Sequence, residues 1–208
     1  MRLPALLVRT SAVALLALST FATIDAAGAA SGRAAADAAV VDTARIRIDN
    51  FGRISSAYYR GAQPKARDYA DLAALGVKTV INLTSDDALA EEPGMVEGAG
   101  MNYVSLPMTT HTVPTSEELA RFLAVVNDPA QQPVFVHCVG GKHRTGVMTA
   151  VYRMTQHSWT ADQAFKEMKR FKFGFDFLHP EFKEFVYGYQ VPATPVTAPV
   201  LAVAITQG

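Results

Sequence analysis

The chain has 208 residues, half of them hydrophobic, and its 19 basic side chains balance 19 acidic ones. That length supports one well-formed core once the ends are set aside. Balanced charge gives no general attraction for nucleic acid or an anionic membrane surface, so affinity for an anionic substrate has to be built locally.

Residues 1–30 have the layout of a secretory signal peptide. Arg2 and Arg9 flank the start, an uncharged run from Thr10 to Ile24 follows, and small residues from Ala26 to Ala30 suit cleavage. The apolar run is too short and too poor in large side chains for a comfortable membrane span. The expectation is export to the periplasm or beyond the cell, with no stable membrane insertion after cleavage. Cys138 is the single cysteine, so no internal disulfide can form and the thiol is either a buried spectator or a reactive group.

Residues 31–44 are rich in Ala and read as a flexible lead-in. Arg45-Ile46-Arg47-Ile48 alternates, which predicts a short strand before a turn at Asn50 to Gly52. Tyr58 to Pro64 leads into a helix around Ala66 to Leu75, stopped by Gly76. The β-branched run from Val77 to Leu83 predicts a buried strand. A helix near Ala88 to Ala99, with Gly100 as its stop, precedes a strand from Asn102 to Pro107. Thr115-Ser116-Glu117-Glu118 supplies an N-cap and early acids for a helix ending before Asp128-Pro129. Pro133 to His137 is another short apolar strand. Helices then begin near Thr145, near Thr160 and after Pro180, the first carrying Val147, Met148, Val151 and Met154 on one face. The tail from Val191 has no useful periodicity and is expected to be disordered. The alternation predicts an α/β domain over residues 45–190: a central, mostly parallel sheet of about four to five strands flanked by helices, in a monomer.

One segment carries chemistry. A strand ending at His137 runs into Cys138-Val139-Gly140-Gly141-Lys142-His143-Arg144-Thr145-Gly146 and then into a helix. The carboxyl end of a strand is where open α/β sheets place ligands. Successive backbone N–H groups of such a loop form an anion nest, and the following helix adds its positive N-terminal end. Gly140 and Gly141 permit backbone angles that a β-carbon would hinder. The same groups that hold phosphate favour a thiolate over a thiol. Cys138 is therefore the candidate nucleophile, and Arg144 offers a planar fork matched to two phosphate oxygens. The Thr145 hydroxyl is placed to hydrogen-bond the sulfur, and His137 to orient the loop.

This segment resembles the signature of the protein tyrosine and dual-specificity phosphatase superfamily. Its Gly-Lys-His-Arg-Thr-Gly ending is similar to the atypical branch shared by plants, fungi and bacteria. Tyr59-Arg60-Gly61-Ala62-Gln63-Pro64, the Val80-Ile81-Asn82-Leu83 strand, Asp128-Pro129 and the stretch from Met168 to Phe173 extend the likeness over residues 45–190. The resemblance implies a cysteine-phosphatase fold and a cysteinyl-phosphate intermediate on Cys138. It also implies Arg144 as phosphate ligand, backbone amides of Val139, Gly140, Gly141, Lys142, His143 and Arg144 completing the site, and neither cofactor nor metal. No His or Cys spacing suggests a metal centre.

The sequence departs from that family at the general acid. The loop Met108-Thr109-Thr110-His111-Thr112-Val113-Pro114, where an aspartate is usual, has no carboxylate. His111 is one candidate donor, since histidine ordinarily titrates near neutral pH. Asp86 and Asp87, after an earlier strand, are the others. A weak acid suffices for leaving groups of low pKa, which favours aryl phosphates or phosphoanhydrides over alkyl phosphates. The expected partner is a phosphoprotein or small phosphate ester, with an inositol polyphosphate or pyrophosphate as the alternative. A non-catalytic phosphate-binding module is a third reading. The basic residues Lys166, Lys169, Arg170 and Lys172 are expected on a solvated helix face, and the phenylalanines from Phe171 to Phe177 in packing.

Overall fold

A computed structural model describes residues 43–192 other than Asp86. The leader at 1–30, the lead-in up to residue 42, the tail from 193 and the candidate acid Asp86 lie outside the described residues.

In chain order the elements are β1 (Gly52–Arg53), β2 (Tyr58–Gly61), α1 (Asp68–Ala74), β3 (Thr79–Asn82), α2 (Glu92–Gly98), β4 (Asn102–Ser105) and α3 (Ser116–Asn127). β5 (Val134–His137), α4 (Arg144–Gln156), α5 (Ala161–Arg170) and α6 (Pro180–Gly188) complete the set, with 3-10 turns at Thr43–Arg45 and Asp176–Leu178. Capping boxes start α3 and α5. Thr115 accepts from the backbone of Glu118 and Thr160 from that of Gln163, and each partner side chain reaches back to the cap. α2 is shorter than expected. Pro93 sits in its first turn, where its missing N–H costs nothing, and the residues before it form turns.

The strand expected at Arg45–Ile48 does not form. Thr43–Arg45 is a 3-10 turn, and the alternation serves only to bury Ile48 against Tyr59 and Phe135. The sheet edge it would need is occupied by β1, which pairs antiparallel with β2. β2 itself is a full member of the sheet, where the sequence suggested only a lead into the next helix.

The sheet order is β1-β2-β5-β3-β4, and every pairing other than β1 with β2 is parallel. Register aligns Gly61, His137 and Asn82 side by side at the carboxyl ends of β2, β5 and β3. Period-2 alternation sorts the strands between two cores. Tyr59, Val80 and Phe135 face Tyr69 and Leu72 of α1 and Val96 of α2. Tyr58, Ile81, Val134 and Val136 face Phe122 of α3 and Met148 and Val151 of α4. A third apolar cluster locks α4 to α5 and α6 through Val147, Ala164, Phe165, Met168, Phe182 and Val186. The central strand, β5, is thus clamped on both sides and delivers Cys138 to a rigid edge. Among the described residues no helix is long and apolar enough to cross a membrane.

Candidate active site

Cys138 follows the last residue of β5 and is almost fully buried, 3% exposed. The loop beyond it turns its carbonyls outward, and each has a partner. The Val139 carbonyl accepts from the Gln63 amide at 3.1 Å, and those of Lys142 and His143 accept from Gly146 and Val147. The Gly140 carbonyl is met by Asn50 Nδ2 at 3.5 Å. The Gly141 carbonyl accepts from the same Nδ2 at 2.7 Å and from the guanidinium of Arg60. Among the described residues no amide from Val139 to Arg144 donates to a backbone carbonyl. These N–H groups are left without backbone partners, as an anion nest requires.

The braces come from far away in sequence. Arg60 is fully buried, lies 4.1 Å from the ring centroid of Phe171, and has its pKa lowered by burial to about 10. Asn50, in the left-handed region at φ 56°, also donates to the Phe171 carbonyl at 2.8 Å, so one amide ties two loops. Gly141 has φ +61°, and a β-carbon there would lie 2.4 Å from the Gly61 carbonyl. Gly140 differs from expectation: a β-carbon would meet nothing closer than the Lys142 side chain at 3.6 Å, and its φ lies outside the left-handed region. Only one glycine of the pair is required by the backbone.

Arg144 opens α4 and is 3% exposed. Its two terminal nitrogens donate to the two oxygens of Asp87 at 2.9 and 2.6 Å, and one also donates to the Met108 carbonyl at 3.1 Å. Burial pulls the Arg144 pKa down, but Asp87 and Cys138 beside it give a net rise. The Asp87 carboxyl is held below the usual carboxylate range by the same fork. A carboxylate therefore occupies the donors that suit a phosphate. The Thr145 hydroxyl is buried without a hydrogen-bond partner, so the expected bond to sulfur is not formed in this arrangement.

Behind the loop, His137 is fully buried, with Nε2 2.9 Å from Oε1 of Glu92, itself fully buried. The ring N–H does not point along that line, which makes this a close electrostatic contact rather than an aligned hydrogen bond. Glu92 also accepts from Gln63 Nε2 at 2.8 Å, Tyr69 Oη at 2.7 Å and Asn82 Nδ2 at 2.5 Å. Burial pushes the Glu92 pKa up, and these contacts, His137 first, outweigh it to leave it lowered. A buried carboxylate so paired anchors the base of the loop.

The family model described as DSP-PTPase phosphatase fused to NAD+ kinase matches residues 35–182. The chain belongs to this DSP-PTPase family. The dual specificity protein phosphatase TpbA of Pseudomonas aeruginosa is 35% identical over 125 residues, covering 60% of this chain and 56% of TpbA. The chain thus spans little more than half the length of that curated relative. The crystal structure of P. aeruginosa TpbA in complex with pTyr matches with TM-score 0.57 and 30% identity, covering 67% of this chain and 83% of that one. The core catalytic domain of the PP-IP phosphatase SIW14 from Saccharomyces cerevisiae, in complex with citrate, gives TM-score 0.60 at 25% identity, covering 69% of this chain and 86% of that one. The α/β layers described above are the cysteine-phosphatase fold.

Within this DSP-PTPase chain the structure brings Cys138, the nest, Arg144 and Asp87 together. His111 stands at the rim instead, its side chain 72% exposed and its Nδ1 turned to Glu181 at 3.5 Å. His143 donates from Nε2 to the Phe173 carbonyl at 2.9 Å, and burial lowers its pKa. Lys142 is exposed beside the nest. Lys166, Lys169, Arg170 and Lys172 are exposed as expected, and Lys169 is engaged by Asp176 at 2.6 Å. The phenylalanines split: Phe173 is buried, whereas Phe175 and Phe177 stack on each other in solvent at 68% and 75% exposure. Asn50, Arg60 and Glu92 were not singled out by sequence reasoning. The one available signal was the Tyr59-to-Pro64 motif, whose arginine and glutamine are now seen to brace the loop.

Proposed function

We propose that the protein is a cysteine-dependent phosphatase that hydrolyses phosphomonoesters of the phosphotyrosine and dual-specificity type. The observation that carries this reading is the run of amides after Cys138 that donate to no backbone carbonyl, followed by the Arg144 fork at a helix N-terminus. Dual-specificity relatives such as TpbA support it.

The Cys138 thiolate attacks phosphorus in line, forming a sulfur–phosphorus bond as the bond to the leaving oxygen breaks. Loop amides and Arg144 bind the equatorial oxygens, where transition-state charge spreads. Water then attacks phosphorus, the sulfur–phosphorus bond breaks, and inorganic phosphate leaves with the thiolate restored. His137 holds the base of the loop through Glu92. Thr145, with its hydroxyl uncommitted, is available to stabilise sulfur as it departs.

Asp87 is our candidate proton donor, ahead of His111. A substrate dianion that takes the Arg144 fork strips Asp87 of two charge-assisted hydrogen bonds and leaves it beside negative charge. Both changes raise its pKa from the depressed resting value. The carboxylate becomes an acid only when substrate is bound, and it returns as base for the attacking water.

Lys142, exposed next to the nest, favours a second reading: an inositol polyphosphate or pyrophosphate substrate, whose additional phosphate it would meet. SIW14, named an inositol diphosphatase, is 28% identical over 139 residues, or 64% of this chain and 49% of SIW14. The leader sequence supports export, testable by fractionating cells expressing the full chain. The substrate question is tested by phosphate release from phosphopeptides, phosphoinositides and inositol pyrophosphates, with Cys138→Ser as control. Turnover of the first class, abolished in the variant, is expected. Activity surviving in Cys138→Ser would overturn the chemistry.

A further inference from the structure

We propose that His111, His179 and Glu181 form a binding site for a divalent transition cation of the zinc class, at the rim of the phosphate-binding loop. The three residues lie on the loop before α3, at the entry to α6 and in its first turn, and their ligand atoms all fall within 4.8 Å of one another. Nδ1 of His111 and Nδ1 of His179 approach the same oxygen, Oε1 of Glu181, at 3.5 and 3.3 Å. The His179 contact is a long hydrogen bond and the His111 contact is looser still, both beyond the usual length near 2.9 Å. A tetrahedral zinc with bonds of about 2.0–2.1 Å holds its ligand atoms roughly 3.3–3.4 Å apart. Two edges of the triangle are already close to that length. The third, between the imidazoles, needs to close by at most about 1.5 Å.

The surroundings allow that closure. His179 is fixed, its side chain 14% exposed, its ring stacked on Phe182 and 3.8 Å from the ring centroid of His143. Glu181 is fixed by its place in α6. His111 is the exposed ligand, its ring already roughly parallel to that of His179 at 22° and 5.2 Å, and mostly in solvent. Two packed ligands and one exposed ligand leave the site open to an ion from solvent. Two imidazoles with one carboxylate suit zinc, cobalt or nickel, whereas calcium and magnesium prefer oxygen alone.

A bound ion would join the His111 loop to α6. That loop begins at Met108, whose carbonyl accepts from Arg144, and His179 touches His143 of the phosphate loop. The site is thus linked at both ends to the phosphate-binding machinery while using none of its ligands.

The test is calorimetric titration of Zn2+ into the full chain carrying Cys138→Ser, which removes the thiolate as a competing ligand. One equivalent should bind, and Co2+ should give the absorption of a tetrahedral site. Glu181→Gln and, separately, His111→Ala in the same background should each weaken binding at least about tenfold. His111 lies in solvent, so its variant remains informative if Glu181→Gln does not fold. Affinity unchanged in either folded variant would overturn the site, as would zinc binding seen only when Cys138 is intact.

Discussion

Replacing Glu92 with Gln keeps the shape of a fully buried side chain and removes its charge. Oε1 takes contacts from Gln63, Tyr69 and His137 at 2.7–2.9 Å, and Oε2 takes Asn82 at 2.5 Å. An amide retains one acceptor and turns a donor toward another donor. The Asn82 amide cannot simply flip, because its oxygen already accepts from the backbone and hydroxyl of Thr84 at 2.7 and 2.6 Å. Hydrogen bonds to a charged group contribute about 1.5–3 kcal/mol each. A loss of about 3 kcal/mol is expected, a large share of the roughly 5–15 kcal/mol that holds a domain of this size. Urea titration should show a lower midpoint with an unchanged slope. Turnover should fall with it, because His137 loses its anchor beside Cys138. The lowered Glu92 pKa fixes the pH dependence. Its stabilisation is complete above the ordinary value of 4.5 and is lost as pH falls through the lower folded value. Below pH 4.5 the native protein should therefore lose stability more steeply than Glu92→Gln. A shift under about 1 kcal/mol with native turnover would refute the reasoning.

Gly141→Ala should abolish phosphate binding, since its β-carbon meets the Gly61 carbonyl at 2.4 Å, whereas Gly140→Ala should retain most activity. Vanadate inhibition of both variants reads this contrast. Asp87→Asn should tighten inorganic phosphate by up to about fivefold, because a partly exposed competitor for the fork loses its charge. The same variant should lose turnover as the leaving-group pKa rises, and His111→Gln should not. A flat dependence in Asp87→Asn would return the acid to another group.

The chemistry was legible because it is contiguous. Strand, nucleophile, nest, arginine and helix occupy one unbroken run, and local propensity and function point the same way there. The helix starts at Thr115 and Thr160 were equally plain, since a helix cap is a signal held within four consecutive residues. The expected strand at Arg45–Ile48 shows the opposite case. Alternation reports which side chains are buried, and Ile48 is, but it cannot report whether a sheet edge is free to pair. The braces were hidden for a related reason. Asn50, Arg60 and Glu92 reach the loop from 91, 81 and, for the Glu92–Gln63 link, 29 residues away along the chain. Each looks like an ordinary turn, strand or helix residue in its own neighbourhood. Asp87 was singled out beside Asp86 and His111, but its hold on Arg144 depends on the β3 and β5 carboxyl ends lying side by side. In the His111, His179 and Glu181 cluster only His179 and Glu181 are neighbours in sequence, and His111 joins them because the loop before α3 and the start of α6 meet only in the fold.

The central claim is that phosphate passes through the sulfur of Cys138. Rapid denaturing quench at mildly alkaline pH during turnover of an aryl phosphate, followed by peptide mass spectrometry without acid, tests it most directly. Phosphate is expected on the peptide containing Cys138, absent when Cys138 is replaced by Ser and accumulating in the variant of the proton-transferring Asp87. Steady turnover with no phosphorylated Cys138, or phosphate trapped on a histidine instead, would contradict it.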